Sequence, residues 1–392
     1  MIRQDRIPHI LKYMGGKREM LDDIKNAIFE MNLKTDVFCD LFAGTSIVGY
    51  AFSDTFRVVS NDIQRYSSIF GNTYFSDLSY IKDANSFADN IVAESSEIVR
   101  MIKCIYPQYK FEYNDEMNFF EMSGIEEKQM SLINESFEMG FSLFKKNYSG
   151  TYWSYEQCMW IDAIRAIAER YVNQPVYYAI MSALVYAASY STQSTGHFAQ
   201  YRTLTHSNYK SILMYRLKSI PVLFHKKLVE LIESLHQKLE NGFRSSSLDY
   251  VDCIATLPIG TLVYADPPYS AVHYSRFYHV LETLVRYDNP KLEFKGRYRD
   301  DRYQSPFDQH SNVRSAFYKL FTSIKVQKCH LLLSYSDNAM LSLKEINAIA
   351  QDCLGKDYER KVYSRDYTHM KMGRNDEYKM DVQELLISFK AL

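Results

Sequence analysis

The stretch Leu262-Val263-Tyr264-Ala265-Asp266-Pro267-Pro268-Tyr269-Ser270 constrains this chain more than any other. A short apolar run ends in an acid, and two prolines then fix the next backbone dihedrals and withdraw two N–H donors, which predicts a buried strand opening into a stiff turn. Such a turn offers one carboxylate, carbonyls with few competing N–H groups, and one aromatic ring. That set suits a planar substrate bearing an amino group, because the carboxylate and a proline carbonyl accept from the NH2 while Tyr269 stacks on the ring face. A nucleobase taken out of its duplex meets the description. An isolated Asp-Pro-Pro-Tyr is equally an ordinary turn, so its surroundings decide.

Upstream, Lys12-Tyr13-Met14-Gly15-Gly16-Lys17 precedes residues 18–31, whose apolar positions Met20, Leu21, Ile24, Ala27, Ile28 and Met31 recur at helical spacing. Its glycines let backbone approach a ligand closely, and its lysines offer cations to a carboxylate. Residues 35–41 then read as a buried strand, 42–46 as a loop of small residues, 47–52 as a helix start and 57–62 as a second strand ending in Asp62. Strand, small-residue loop, helix, strand and terminal acid is how parallel α/β sheets hold a nucleoside-containing cofactor, the acid bonding the ribose hydroxyls. Gly44 alone stands where a dinucleotide fingerprint needs several glycines, which disfavours NAD. Later, residues 241–249 lead back into sheet, with Asp249 and Tyr250 near a strand end. Residues 291–306 have loop composition and lid length, 330–338 form another strand ending in polar groups, and 384–389 form the last.

A chain of 392 residues with 46% hydrophobic side chains can bury a full core and suggests two structural units. The net charge of −1 hides an asymmetry. Residues 76–140 carry thirteen acids against five bases, whereas residues 170–229 carry no acid and only Arg170, Arg202, Lys210, Arg216, Lys218, Lys226 and Lys227, with His197, His206 and His225. A surface cleared of carboxylates is what phosphates require, although part of this window, 176–189, also reads as a buried helix. Residues 192–202 are small and polar, a hairpin or surface loop whose Gln200 and Arg202 could reach base edges. The six scattered cysteines contain no Cys-x-x-Cys pair, which argues against a zinc site or a disulfide framework and for small buried apolar roles. No apolar run is long enough to span a bilayer and no signal-peptide pattern opens the sequence, so a cytoplasmic location without membrane contact is expected.

Taken in order, Lys12 to Lys17, Asp40-Leu41-Phe42-Ala43-Gly44, Asn61-Asp62 and Asp266-Pro267-Pro268-Tyr269 resemble the bacterial DNA adenine methylases of the α group, and Ser334-Tyr335-Ser336-Asp337-Asn338 resembles that family's next strand-end motif. The resemblance implies a Rossmann-like α/β methyltransferase sheet built from residues 1–75 and 241–392. Residues 76–240 are then an inserted, mainly helical target-recognition domain. It implies S-adenosylmethionine as methyl donor, with Tyr13 and Gly16 among the residues that bind it, Lys17 and Asp40 near its methionine portion, Phe42 and Gly44 lining the loop, Asp62 on the ribose, and Asp249 with Tyr250 near the adenine. It further implies a target adenine held at Asp266, Pro267, Pro268 and Tyr269, double-stranded DNA as partner, and a restriction enzyme as a possible companion. Candidate DNA contacts are His197, Gln200, Arg202, Lys210, Lys226, Lys227, Arg297 and Arg299. Ser46 departs from the family's pattern, standing where a second glycine is usual.

An adenine amine is a weak nucleophile because its lone pair is conjugated into the ring. Two acceptors that turn the nitrogen towards tetrahedral geometry would aim that pair at a donor's methyl group. The same turn could present cytosine's amine or an amine in RNA, and a sheet that lost catalysis could survive as a DNA-binding protein. A hydrolase built on His273, His279 and Asp266 fits poorly, since histidines six apart do not share a helix face.

Overall fold

A computed structural model of the chain describes residues 7–11, 13, 16–138, 140–194, 197–235, 241–268, 273–336, 339–369 and 380–392. It contains two compact units, one of Met1–Phe75, Lys238–Ser275 and Tyr303–Leu392, the other of Ser76–Gln237 and Arg276–Arg302.

The first unit is built on strands β1 (Val37–Asp40), β2 (Arg57–Asn61), β3 (Phe243–Ser246), β4 (Leu262–Ala265), β5 (His330–Ser336), β6 (Tyr358–His369) and β7 (Met380–Ala391), in the order β3-β2-β1-β4-β5-β7-β6. Neighbours from β3 to β5 pair parallel, and β7 runs antiparallel to both β5 and β6. Every residue of β1 and β4 is buried, as expected for parallel strands covered on both faces. Alternation then assigns the faces. Val37, Cys39, Val263, Ala265, Leu331 and Leu333 join a core with Cys253, Phe317, Phe321, Ile346 and Ile349 from the helices Tyr250–Ala255, Val313–Val326 and Leu343–Leu354. On the opposite parity, the Phe38 ring meets Phe52, Phe56 and Tyr264. Each Val, Leu, Ile and Phe side chain among them contributes roughly 1.5–3 kcal/mol by leaving water.

This topology places the site. After β1 the chain turns one way, through the helix Ile47–Ala51 to β2, while β4 lies on the other side of β1. Parallel α/β sheets bind ligands outside the carboxyl ends of the strands where the order reverses, and Asp40 ends β1 while Asp266 follows β4. The antiparallel β7 pairs Glu384 with Ser336 at the same edge.

The second unit is mainly helical, with Ala84–Ile105, Tyr155–Ala168, Val176–Ser191 and Ile220–Ser234 as its long helices. Its helix Phe119–Met130 is opened by a capping box between Asn118 and Glu121. The boundary between units differs from the sequence reading. Residues Arg276–Arg302 belong to the second unit, where His279 Nε2 lies 2.8 Å from the Phe198 carbonyl. The expected lid over 291–306 contains an antiparallel ladder of Leu292–Glu293 with Tyr298–Arg299, because three acid–arginine contacts tie it down. Cys104 is exposed, contrary to a buried role, and no described helix is long and apolar enough to cross a membrane.

Candidate active site

The loop after β1 owes its shape to backbone geometry. Gly44 and Ser46 both take positive φ, 51° and 59°, and the Ser46 N–H closes the turn on the Ala43 carbonyl. Ser46 therefore occupies the left-handed conformation that makes glycine usual at such a position, and its oxygen accepts from the Ser60 hydroxyl at 3.0 Å. At Gly44 a side chain would begin 3.0 Å from Tyr13 Cε1. Gly44→Ala is expected to cost about 1–3 kcal/mol of stability and to weaken binding in the cleft; an unchanged melting temperature would show that Tyr13 yields freely.

Two acids brace this loop. Asp62 accepts from the Gly44 N–H through Oδ2 and from the Gln64 N–H through Oδ1, both at 2.9 Å, while burial pushes its pKa up to about 6 against those bonds. Asp40 is 1% exposed and its Oδ2 takes the Gly49 N–H at 2.9 Å. Burial raises its pKa to about 7, the Gly49 bond opposes this, and the Asp266 and Asp62 charges add to it. Asp40 is thus turned into the helix Ile47–Ala51 and is not in the cavity wall. Asp249, expected at a strand end, caps the helix Tyr250–Ala255 by accepting from the Val251 N–H at 3.0 Å.

The cavity at this sheet edge is lined by Tyr13, Leu41, Phe42, Asn61, Asp62, Ile63, Gln64, Tyr66, Leu248, Asp249, Tyr250, Asp266, Pro267, Pro268, Tyr274, Ser275, Tyr303, Ser305 and Asp308. Tyr13, Tyr66 and Tyr274 make one aromatic wall, the Tyr13 hydroxyl 3.3 Å from that of Tyr66 and its ring 6.0 Å from that of Tyr274. Phe42, Tyr250 and the buried Phe307 form an aromatic cluster at another. Four carboxyl groups line the space, and no lysine or arginine does so among the described residues.

Lys17, assigned to the donor's methionine portion by resemblance, is not among the residues that line the cavity and pairs with one that is. Its Nζ is 3.1 Å from Asp266 Oδ1 and 3.4 Å from Glu384 Oε2, and the lysine is 5% exposed. Burial alone would lower its pKa, but the two carboxylates outweigh burial and raise it. Asp266 is pushed up to about 6 by burial, drawn down by Lys17 and raised again by Glu384. Gly16 precedes the short 3-10 turn Lys17–Met20 and does not line the cavity. Tyr269, Lys12, Met14, Gly15, Asp337 and Asn338 lie outside the described residues. Glu384, Tyr303 and Asp308 had not been singled out; residues 384, 303 and 308 stand far along the chain from their neighbours here, so no local spacing announces them.

The DNA candidates divide within the second unit. Lys210, Lys226 and Gln200 are exposed, while Arg202 and Arg297 are half-buried. Arg202 donates to Ser211 at 3.0 Å and stacks over Tyr215; its Nε and one terminal nitrogen take no partner among the described residues. Arg297, at φ 53°, reaches Asn147 at 3.4 Å. Three others face inward, because each has a better partner inside. Arg299 is 2% exposed and bound to Asp288 and Asp301, Lys227 is 4% exposed against Glu230 and the Tyr186 ring, and His197 is 7% exposed with Tyr278 at 3.4 Å. Part of the acid-free window is likewise internal, since Arg216 makes a buried two-pronged bond to Glu126.

The family model of the D12 class N6 adenine-specific DNA methyltransferase matches residues 13–332. The chain is 27% identical over 390 residues to the Type II methyltransferase M.FokI of Planomicrobium okeanokoites, an alignment covering 96% of this chain and 51% of the relative. It is 26% identical over 393 residues to the modification methylase LlaI of Lactococcus lactis subsp. lactis, covering 97% and 55%. Against the Type II methyltransferase M.NlaIII of Neisseria lactamica it is 24% identical over 348 residues, covering 86% and 87%. The chain thus spans about half the length of the first two relatives. The family match runs through the loop after β1, the acid after β2 and the proline turn after β4, and by it this chain belongs to the D12 class N6 adenine-specific DNA methyltransferases.

Proposed function

We propose that the chain is a sequence-specific DNA methyltransferase that carries a methyl group from S-adenosylmethionine to the N6 amine of an adenine extruded from DNA. The observation that carries this reading is the charge of the cavity: Asp62, Asp249, Asp266 and Asp308 line it with no cation among the described residues. Such a wall repels a cofactor bearing phosphates and suits a nucleoside joined to a positive sulfonium. When bound, S-adenosylmethionine supplies a methyl group made electrophilic by that sulfonium.

The residues then divide the work. Asp62 has lone pairs left beside its two backbone bonds to accept from ribose hydroxyls, and Phe42, Leu248, Asp249 and Tyr250 offer a slot for an adenine. Asp266 and the Pro267 carbonyl accept from the target NH2, hold its nitrogen towards tetrahedral geometry, and leave Asp266 to take the proton that N6 sheds. Lys17 acts on Asp266, keeping it ionised.

The second unit supplies target recognition in this reading, with Gln200, Arg202 and Arg297 reading base edges and Lys210 and Lys226 meeting phosphates. Lys226→Ala is expected to weaken DNA binding on all sequences and to lower the salt slope by about 1, whereas Arg202→Ala relaxes the choice of site. Equal sequence preferences in the two variants would remove Arg202 from that role. The names of the relatives, Type II methyltransferase and modification methylase, support a companion restriction enzyme with the same target.

The decisive experiment incubates DNA with the protein and S-adenosylmethionine, then digests it to nucleosides. N6-methyladenine is expected; N4-methylcytosine as the sole product, or no modified nucleoside, overturns the reading.

A further inference from the structure

The Ser305–Asp308 corner contributes a carboxylate to the acidic wall of the cavity, and the reaction above gives that carboxylate no hydrogen bond of its own. Ser305 caps the 3-10 turn Pro306–Asp308, its oxygen accepting from the Phe307 N–H at 3.2 Å, and the Asp308 N–H returns to the Ser305 carbonyl at 3.1 Å. Phe307 anchors the turn in the core, its ring centroid 5.5 Å from that of Phe42 and 5.2 Å from that of Tyr250. The corner is therefore rigid and fastened to the two aromatic residues at the adenine end of the cavity.

Asp308 lines the cavity with its side chain 1% exposed. Its Oδ2 lies 3.3 Å from His273 Nδ1, while Oδ1 is buried and has no hydrogen-bond partner among the described residues. Burial pushes the carboxyl up to about 7 against a bond from the Tyr274 backbone. Tyr303, on the same wall, lies within electrostatic reach of Asp249, Asp62 and Asp308 together. A buried carboxylate oxygen with no donor is costly to keep, and such an atom on a residue that lines a cavity is explained by a ligand that donates to it.

We propose that Asp308 binds the methyl donor, its Oδ1 accepting a hydrogen bond from the nucleoside portion while His273 holds the carboxylate in position. This rests on the reading of the cavity as the donor site. The nucleoside rather than the amino-acid portion is assigned because Phe307, next to Asp308 in the chain, packs against Phe42 and Tyr250, the aromatic residues given to the adenine.

Calorimetric titration of the full chain with S-adenosylhomocysteine and with 5′-methylthioadenosine, which lacks the amino-acid portion, tests this. Asp308→Ala is expected to weaken both ligands alike, by about tenfold or more, as for a lost hydrogen bond to a charged group, with DNA affinity unchanged. Asp308→Asn keeps the shape and one acceptor oxygen, is expected to lose less, and carries the test if the alanine variant does not fold. Wild-type affinity for both ligands in both variants overturns the proposal, as does a loss confined to S-adenosylhomocysteine. If the wild-type protein binds neither ligand, the donor-site reading itself falls and takes Asp308 with it, a result distinct from either of those.

Discussion

Asp266→Ala is expected to lower methyl transfer by about 10³-fold or more, the scale on which a positioned acceptor and proton-accepting group acts, while DNA affinity stays at the wild-type level. Alanine leaves the target amine one acceptor, the Pro267 carbonyl, and nothing to receive its proton. It also removes a negative charge from the cavity, so weaker DNA binding would have no electrostatic cause. Single-turnover methylation and DNA binding, measured side by side, separate the two effects. Turnover near wild type would remove Asp266 from the reaction. In the wild-type protein the same group sets the acid limb of the rate profile. Burial raises the Asp266 pKa to about 6 despite Lys17, so kcat/KM is expected to fall as pH drops through about 6, where the carboxyl gains a proton and loses acceptor capacity. An exposed aspartate would hold its activity down to about 4.

How far the site could be read from sequence depended on whether its residues announce themselves locally. The buried apolar runs of β1 and β4 and the acids that follow them are continuous in the chain. A continuous buried apolar run and a carboxylate at its end leave a local trace, as does the Asn118 to Glu121 spacing that starts a helix. Glu384 leaves none. It reaches Lys17 only because β7 runs antiparallel beside β5, a pairing set by the whole sheet. Asp308 likewise meets the cavity through a corner pinned by Phe307. The basic residues misled for a related reason. Composition records that Lys227 and Arg216 are cations in an acid-free stretch and that Arg299 is a cation outside it, but not that Glu230, Glu126 and Asp301 satisfy them inside the second unit.

Lys17 sharpens the point, because resemblance sends it to the donor and the geometry sends it to Asp266. The two roles predict different profiles. If Lys17 serves Asp266, Lys17→Met leaves two buried carboxylates facing each other, and the least costly response is for one to take up a proton. Asp266 in either case loses the lysine that draws its pKa down. The acid limb moves upward from about 6, and activity at pH 7 falls by roughly 10²-fold, within the range expected for losing a general base. Breaking a buried ion pair also costs roughly 3–5 kcal/mol of stability, so the melting temperature drops as well. Glu384→Gln works the other way. Removing that charge takes away one of the influences raising Asp266 and leaves Lys17 to Asp266 alone, so the limb moves below about 6 while activity at pH 7 is kept. Opposite shifts in the two pH profiles are the signature of a lysine shared between a reacting carboxylate and a supporting one. If both profiles superimpose on the wild type and Lys17→Met instead loses affinity for S-adenosylhomocysteine, Lys17 belongs to the donor, and its salt bridge to Asp266 is one that ligand binding breaks.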